Sequence, residues 1–449
     1  MLTRNQMHPY QNRVVAVGLE LSDKGGCYVA EDCGLGKTVS ALTLILDLMV
    51  LGRTKNTLVV APPRVAKDVW LQELQGWDHL RHMTMTVLTG TPTQRSDILN
   101  GELPQIVVVS YNLLEWLYKF YEGKEFPFDT VICDEASALK THNSKRVKIM
   151  KKIRKKVERV YMMSATPSAD TLLSLWPQYF LIDGGERLGK SFRIFKKRYF
   201  YPTDYMEYTW EPKDGSVTRI TQAISDITLR LSAEDYLDLP PLIHNTIRVT
   251  QNHNAKKVYT ELERDFYLEL NQTPITAVNA AVLSGKLRQC ANGFVYDEDG
   301  FSHIIHDAKL YALGELIEGD DKPLLVFYEF KSDWERIKAR FPTVEHIKDE
   351  GVVDRWNNPK VKLPVLCGHY GSMAHGLNLQ KGGATRMCFF SPTWSNEQFQ
   401  QAIGRLYRQG VSGTVTAHHL VTTDTIDEKV VRALVHKQDV QKSLLEGLA

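Results

Sequence analysis

Between Cys27 and Met163 short β-branched runs recur along the chain: TLVVAPP, IVVVSYN, DTVICDEAS and RVYMMSATP, each followed by a polar or amphipathic stretch. Unbroken apolar runs of this kind suit strands buried on both faces, and their alternation with helical periodicity predicts a doubly wound, parallel-sheet α/β domain. A second series begins near Asp307. There PLLVFYEF, LPVLCGHYGS, ATRMCFFSP and TVTAHHLV read as strands, and 331–340, 396–409 and 425–436 as helices. A second α/β domain of similar size follows from that pattern. From about Ile182 to His306 the pattern turns irregular, aromatic and basic, with a Leu-Pro-Pro break at Leu239–Pro241. The expected division is therefore a first domain over 1–181, a mainly helical insertion and linker over 182–306, and a second domain over 307–449.

A chain of 449 residues is too long for one ordinary core. Its 43% hydrophobic and 24% charged residues are those of a globular protein. The net charge of only +2 means that any nucleic-acid surface must come from local clustering of basic side chains. Six cysteines form no C-x-x-C pair and no His-Cys cluster at zinc spacing, which predicts a reduced, cytoplasmic setting without a structural metal. The first residues, MLTRNQMHPYQNRVV, lack the apolar core of a signal peptide, and the apolar stretch Leu42–Leu51 is broken by Asp47, so no membrane partner is expected.

The candidate chemistry starts at EDCGLGKTVSAL, residues 31–42. A Gly-x-Gly-Lys-Thr turn feeding a helix aims backbone N–H groups and the helix dipole at one spot, which suits a phosphate. Gly34, Leu35 and Gly36 would form the cradle, Lys37 would reach the β and γ phosphates of ATP, and the Thr38 hydroxyl would ligate Mg²⁺. The longer Walker pattern wants a further glycine where this chain has Glu31. In VICDEAS, Asp134 and Glu135 end an apolar run, where carboxylates need a cationic partner. Asp134 would hold Mg²⁺ and Glu135 would activate the attacking water; the same dipeptide also suits a helix N-terminus. Gln11 of YQNRVV sits where a side-chain amide could read an adenine edge, although by itself the stretch reads as an ordinary polar N-terminal segment. In MSATPS, Ser164 and Thr166 are candidates to bond Asp134 or Glu135. FQQAIGRLYRQG places Arg405 and Arg408 three apart, on one face if helical, as arginine fingers or as ordinary surface arginines.

Taken in order, YQ, GLGKT, APP, DEAS, SATP, GHYGSMAHGLNLQ and QAIGRLYRQG resemble the motif series of a superfamily 2 helicase core. RLSAEDYLDLPP, GKLRQCANG, HDAKLYAL and the Gln-Ala-x-x-Arg-x-x-Arg form from Gln401 to Arg408 resemble its Swi/Snf-type members. That resemblance implies two RecA-like lobes. Gln11, Gly34, Leu35, Gly36, Lys37, Thr38 and Gln401 would bind ATP, Thr38 and Asp134 the Mg²⁺, and Lys37, Asp134, Glu135, Arg405 and Arg408 would carry the catalysis. Ser137 stands where Swi/Snf ATPases usually have His, and Gly404 replaces a frequent Asp.

For nucleic acid, KRVKIMKKIRKKVER (145–159) is either a solvated face or a phosphate-tracking stripe. RLGKSFRIFKKRYFY (187–201) interleaves aromatic and basic residues and is either an amphipathic helix or a base-stacking surface. A strand-separating pin is expected there, built on Phe195, Tyr199 and Tyr201. The resemblance assigns strand contacts to the APP, SYN and HGLNLQ segments, which touch phosphates and carry no sequence preference. The expected activity is a DNA-dependent ATPase and helicase acting as a monomer on single-stranded, forked or branched DNA. Its compactness resembles the small helicases of bacteriophages and bacteria, which sets the expectation of a role in replication, recombination or repair beside proteins of those processes. The rivals are a duplex translocase that displaces bound proteins without separating strands, an RNA helicase, and a nucleotide-switched binding module.

Overall fold

The computed structural model describes residues 1–448 apart from 169, 205, 206, 208, 273–276 and 374–376; for 265–272 and 277–280 it describes the backbone alone. The chain forms two compact units, Met1–Leu237 with Asp439–Ala449, and Asp238–Gln438.

In the first unit the strands are β1 (Tyr28–Glu31), β2 (Thr57–Ala61), β3 (Met85–Val87), β4 (Ile106–Ser110), β5 (Thr130–Asp134), β6 (Arg159–Ser164), β7 (Phe200–Pro202), β8 (Trp210–Pro212) and β9 (Thr228–Leu231). Among the described residues seven of them make one sheet in the order β3-β4-β2-β5-β6-β1-β9, every pair parallel. Alternate residues of the central strands enter two different cores. Leu58, Val60, Val131 and Cys133 pack on one face, and Val59, Ala61 and Ile132 on the other. Burial on both faces is why these strands read as continuous apolar runs. β7 and β8 form a separate antiparallel hairpin.

The second unit contains β10 (Leu242–Val249), β11 (Phe294–Tyr296), β12 (Ser302–Ile304), β13 (Leu324–Tyr328), β14 (Glu345–His346), β15 (Val365–His369), β16 (Arg386–Phe389) and β17 (Val415–Thr422). Its parallel sheet runs β10-β17-β16-β13-β15-β14 among the described residues. A buried polar network fastens its helices together: Lys309 Nζ donates to Asn292 Oδ1 at 2.7 Å and pairs with Asp427 at 2.6 Å. Asn292 in turn donates to both oxygens of Asp333 at 3.1 Å. Both units thus carry the doubly wound sheet expected of RecA-like lobes. No helix among the described residues is long and apolar enough to cross a membrane.

The stretch 182–306 is divided between the units rather than standing as a body of its own. β9 pairs with β1, β10 pairs with β17, and the Leu-Pro-Pro break falls just beyond the boundary at Leu237. Each end of the connector satisfies its backbone on a different sheet, so the division follows strand pairing. The edge strands β3, β9, β10 and β14 lie outside the apolar runs because an edge strand buries less of itself: β10 is mostly exposed and β9 alternates.

The aromatic-basic segment is a helix, Phe192–Tyr199, but its aromatics face inward. Phe195 and Tyr199 are fully buried in the core of the first unit, and Tyr201 is exposed with its hydroxyl donating to Glu211 at 2.9 Å. A pin built on Phe195 and Tyr199 is thereby corrected: a strand-splitting wedge must project from the surface, and these rings hold the fold. Phe195→Ala is expected to lower the stability of the protein by about 3–5 kcal/mol, read from the urea unfolding midpoint. A loss within experimental error of zero would remove Phe195 from the core.

Candidate active site

Three strands of the first sheet finish at one edge. Ala30 lies in register with Ser164 and Asp134 with Met163, which brings the ends of β1, β5 and β6 level. Ligand sites in parallel sheets form at such carboxyl ends.

Beyond β1 the chain turns through Gly34 and Gly36, with φ of 94° and 87°, into the helix Lys37–Val50. Those left-handed angles suit glycine alone without strain. A Cβ at Gly36 would also stand 2.4 Å from Gln11 Nε2 and displace that amide. Gln11, buried on the helix Pro9–Glu20, donates through Nε2 to the Leu35 carbonyl at 3.0 Å and accepts from the His8 N–H at 2.9 Å. Its amide therefore shapes the loop from behind. Leu35 is buried and anchors the turn. No side chain caps the helix Lys37–Val50, so its first N–H groups, with Thr38 in the first turn, remain available to an anion.

Lys37 Nζ donates to the Asp32 carbonyl at 3.1 Å. Burial pulls its proton affinity down, but the negative charges of Cys33, Glu31, Glu135 and Asp134 outweigh this and leave the ammonium above its ordinary value. Lys37 therefore lies within the electrostatic reach of the Asp134-Glu135 pair. Asp134 is buried, and that burial, with the charge of Glu135, pushes its carboxyl up to about 6 against opposing pulls from Trp70 and Lys37. Glu135 is half-buried and adopts φ 51°, ψ 60°, an uncommon conformation for a residue with a Cβ.

Three residues to which motif reading gave no role, Trp70, Tyr111 and Arg230, hold this arrangement, and Glu31 is buried beside it. Trp70, fully buried, donates its indole N–H to Asp134 Oδ2 at 3.0 Å. It opens the helix Trp70–Gly76, directly after a π-helical turn, Val65–Val69, that follows APPR. Tyr111, in the SYN segment, donates its hydroxyl to the Asp134 carbonyl at 2.9 Å. Arg230 of β9 grips Asp32 with both guanidinium nitrogens, at 2.9 and 3.2 Å. Glu31 is fully buried with neither carboxylate oxygen hydrogen-bonded. The available signal for Trp70 was general: a buried indole N–H needs an acceptor, and a carboxylate at a strand end needs a donor.

The SATP residues stand apart from that contact. Ser164 Oγ accepts from the Thr166 N–H at 3.1 Å, and Thr166 Oγ1 is buried without a partner. In the second unit the helix Asn396–Ile403 ends before the arginines, so Arg405 and Arg408 do not share a helical face. Gly404 closes the last turn, and Arg405 folds back, donating to the Gln401 carbonyl at 2.9 Å and the Leu377 carbonyl at 2.8 Å. Arg408 reaches the same Leu377 carbonyl at 3.5 Å, and the Gln401 amide contacts Glu397 at 3.4 Å. Gln401, Arg405 and Arg408 are thus brought together in the second unit. Of HGLNLQ, His375 and Gly376 lie outside the described residues.

Residues 10–293 match the SNF2-related domain family. The chain is 36% identical to putative protein p41 of Acyrthosiphon pisum secondary endosymbiont phage 1, over 98% of this chain and 98% of that protein. It is 24% identical to a putative ATP-dependent helicase/translocase of Bacillus subtilis, over 99% of this chain but only 49% of the longer relative. Among solved structures it resembles the SWI2/SNF2 ATPase core of Sulfolobus solfataricus in complex with dsDNA, at 22% identity and a TM-score of 0.47, over 97% of this chain and 92% of that one.

The unpaired Glu31 has a measurable consequence. Burial, partly offset by Lys37 and reinforced by Asp32 and Asp134, raises its carboxyl from 4.5 to about 7. A raised folded-state value favours the protonated form, so its stabilising contribution is complete below about pH 4.5 and is lost as pH rises through 7. Glu31→Gln, permanently neutral, is expected to be more stable than the parent at pH 8 by about 3 kcal/mol. The advantage should shrink towards zero at acid pH. Chemical denaturation of the nucleotide-free protein at both pH values checks this; an equal difference at both would refute the ionisation.

Proposed function

The chain belongs to the SNF2-related family and is an ATP hydrolase, and from that premise we propose that it is a DNA-dependent motor coupling hydrolysis to movement along DNA. The observation that carries this reading is the convergence of Lys37, Asp134 and Glu135 beside an uncapped helix N-terminus.

In this mechanism the triphosphate of ATP lies along Gly34–Thr38, where N–H groups and the helix dipole favour an anion. Lys37 exchanges the Asp32 carbonyl for phosphate oxygens, a trade of a neutral acceptor for a charged one. Gln11, bonded to the Leu35 carbonyl, lines the approach of the base. Asp134 and Glu135 together oppose the single charge of Lys37, and that surplus fits a divalent cation. Thr38 and Asp134 would hold Mg²⁺, which neutralises charge on the β and γ phosphates when bound. Glu135 orients the attacking water and accepts its proton. Gln401, Arg405 and Arg408 are assigned to ATP and to the charge that develops on the γ-phosphate. Among the described residues both arginines donate to the Leu377 carbonyl, a neutral acceptor weaker than a phosphate oxygen.

DNA is the proposed track, with the APP and SYN segments as its phosphate contacts. Both segments lead to the catalytic dipeptide, one through Trp70 and one through Tyr111. This supports hydrolysis that responds to the strand. Strand separation or branch migration in replication, recombination or repair is the finer reading, and displacement of proteins from duplex DNA is its rival.

Steady-state hydrolysis with no nucleic acid, single-stranded DNA, blunt duplex, a fork or four-way junction, and RNA, each followed for strand release, separates them. Activation by single-stranded or branched DNA with released strands supports the helicase, and activation by duplex without release supports the translocase. Lys37→Ala and Glu135→Gln are expected to lower kcat by at least about 100-fold; near-parental turnover in either would overturn the catalytic assignment. Trp70→Phe, which keeps the ring but deletes the donor, is expected to lower DNA-stimulated kcat by about tenfold while the Kd for ATP stays within about twofold.

A further inference from the structure

The two basic stretches, read separately along the chain, both bear on His142 in the first unit. We infer that the pocket lined by His142, the helix Phe192–Tyr199 and β8 is a second nucleic-acid site, which takes an unpaired nucleobase of DNA against its aromatic wall and the flanking phosphates on its cations.

The cavity is about 390 Å³, within the lower range of ligand pockets and roomy enough for one nucleotide. It is lined by His142, from the loop after β5, by Phe192, Arg193, Lys196 and Lys197 of the helix Phe192–Tyr199, and by Trp210 of β8. The wall is preformed. The His142 ring lies on Phe192 with centroids 3.7 Å apart and planes 13° from parallel, and Trp176 meets Phe192 edge-on at 5.7 Å. Trp210 is fixed by its indole N–H, which donates to the Glu207 carbonyl at 2.7 Å, and carries Lys196 Nζ 3.9 Å from its ring centroid.

Lys148 and Lys151 of the helix Lys145–Arg154 reinforce the positive field. Burial together with Lys151, Lys196 and Lys148 holds His142 below its ordinary pKa. Among the described residues none of Lys148, Lys151, Arg193, Lys196 and Lys197 has an ion-pair partner, and the carboxylate among the lining residues is that of Glu207. A cluster of unneutralised cations around aromatic rings calls for a ligand that is both anionic and flat. Bases within a duplex have their faces covered by stacking, so the wall selects an unpaired one. The buried aromatics Phe195 and Tyr199 keep the helix in place, while its polar face supplies the contacts.

This inference rests on the reading of the chain as a DNA motor, and nucleotide-free binding separates the two. The probes are a fluorescein-labelled oligothymidylate, the same oligomer with abasic sites at its centre, and a blunt duplex, followed by anisotropy over a range of salt. The parent is expected to bind oligothymidylate about tenfold more tightly than the abasic oligomer. Arg193→Glu with Lys197→Glu, both on the exposed face, should weaken oligothymidylate binding by at least about tenfold and flatten its salt dependence by about two charges. Trp210→Ala should erase the preference for bases, and Trp210→Phe should keep it. Unchanged binding in the double variant would overturn the site. Equal losses on all three probes would reduce it to a phosphate-contacting surface and overturn the base pocket. Failure of the parent to bind any of the DNAs would instead overturn the motor reading itself.

Discussion

Carboxylates at the ends of buried strands are the constraint around which the first unit is organised. Glu31 and Asp134 are both buried, and Glu135 follows directly. Leaving such groups ionised in an apolar setting is costly unless donors and a countercharge are supplied. Lys37 supplies the charge, Trp70 donates to Asp134 Oδ2, and Arg230 takes Asp32 out of the same cluster by a bidentate pair. Even so the negative side is in excess. A site with unpaired negative charge on one side and unsatisfied N–H groups on the other is prepared for a phosphate chain with its cation.

The donors that hold this cluster come from the segments proposed to contact DNA. Trp70 sits one π-helical turn beyond APPR, and Tyr111 lies within SYN. Each side chain ends on the Asp134-Glu135 dipeptide, one on the carboxylate and one on the backbone carbonyl. A strand pulling on those segments would act on the catalytic carboxylates through one hydrogen bond apiece. Glu135, already at an uncommon positive φ, is a point where a small displacement would redirect a side chain.

Amphipathicity divides labour in the segment 192–210 as well. The rings of Phe195 and Tyr199 contribute to the core, whereas Phe192 and Trp210 remain partly exposed beside lysines. Composition marked 187–201 as aromatic and basic, but the helical period decided that Phe195 and Tyr199 are buried while Phe192 is partly exposed.

The amino-acid sequence by itself determined the two parallel sheets, because strands covered on both faces must be continuously apolar, as in TVICD and LLVFY. It also marked the glycine turn at Gly34 and Gly36 and the Asp134-Glu135 pair, because a turn at positive φ calls for glycine and an acid after a buried strand is costly without a partner. The edge strands β9 and β10 were illegible, since their pairing depends on partners distant in the chain, as were Trp70 and Arg230, whose acceptors Asp134 and Asp32 lie far away in sequence. The bonds of Arg405 were equally hidden, because the Leu377 carbonyl that accepts from its guanidinium lies 28 residues away. Periodicity records which side of an element is buried, but only the folded chain brings a donor to its acceptor.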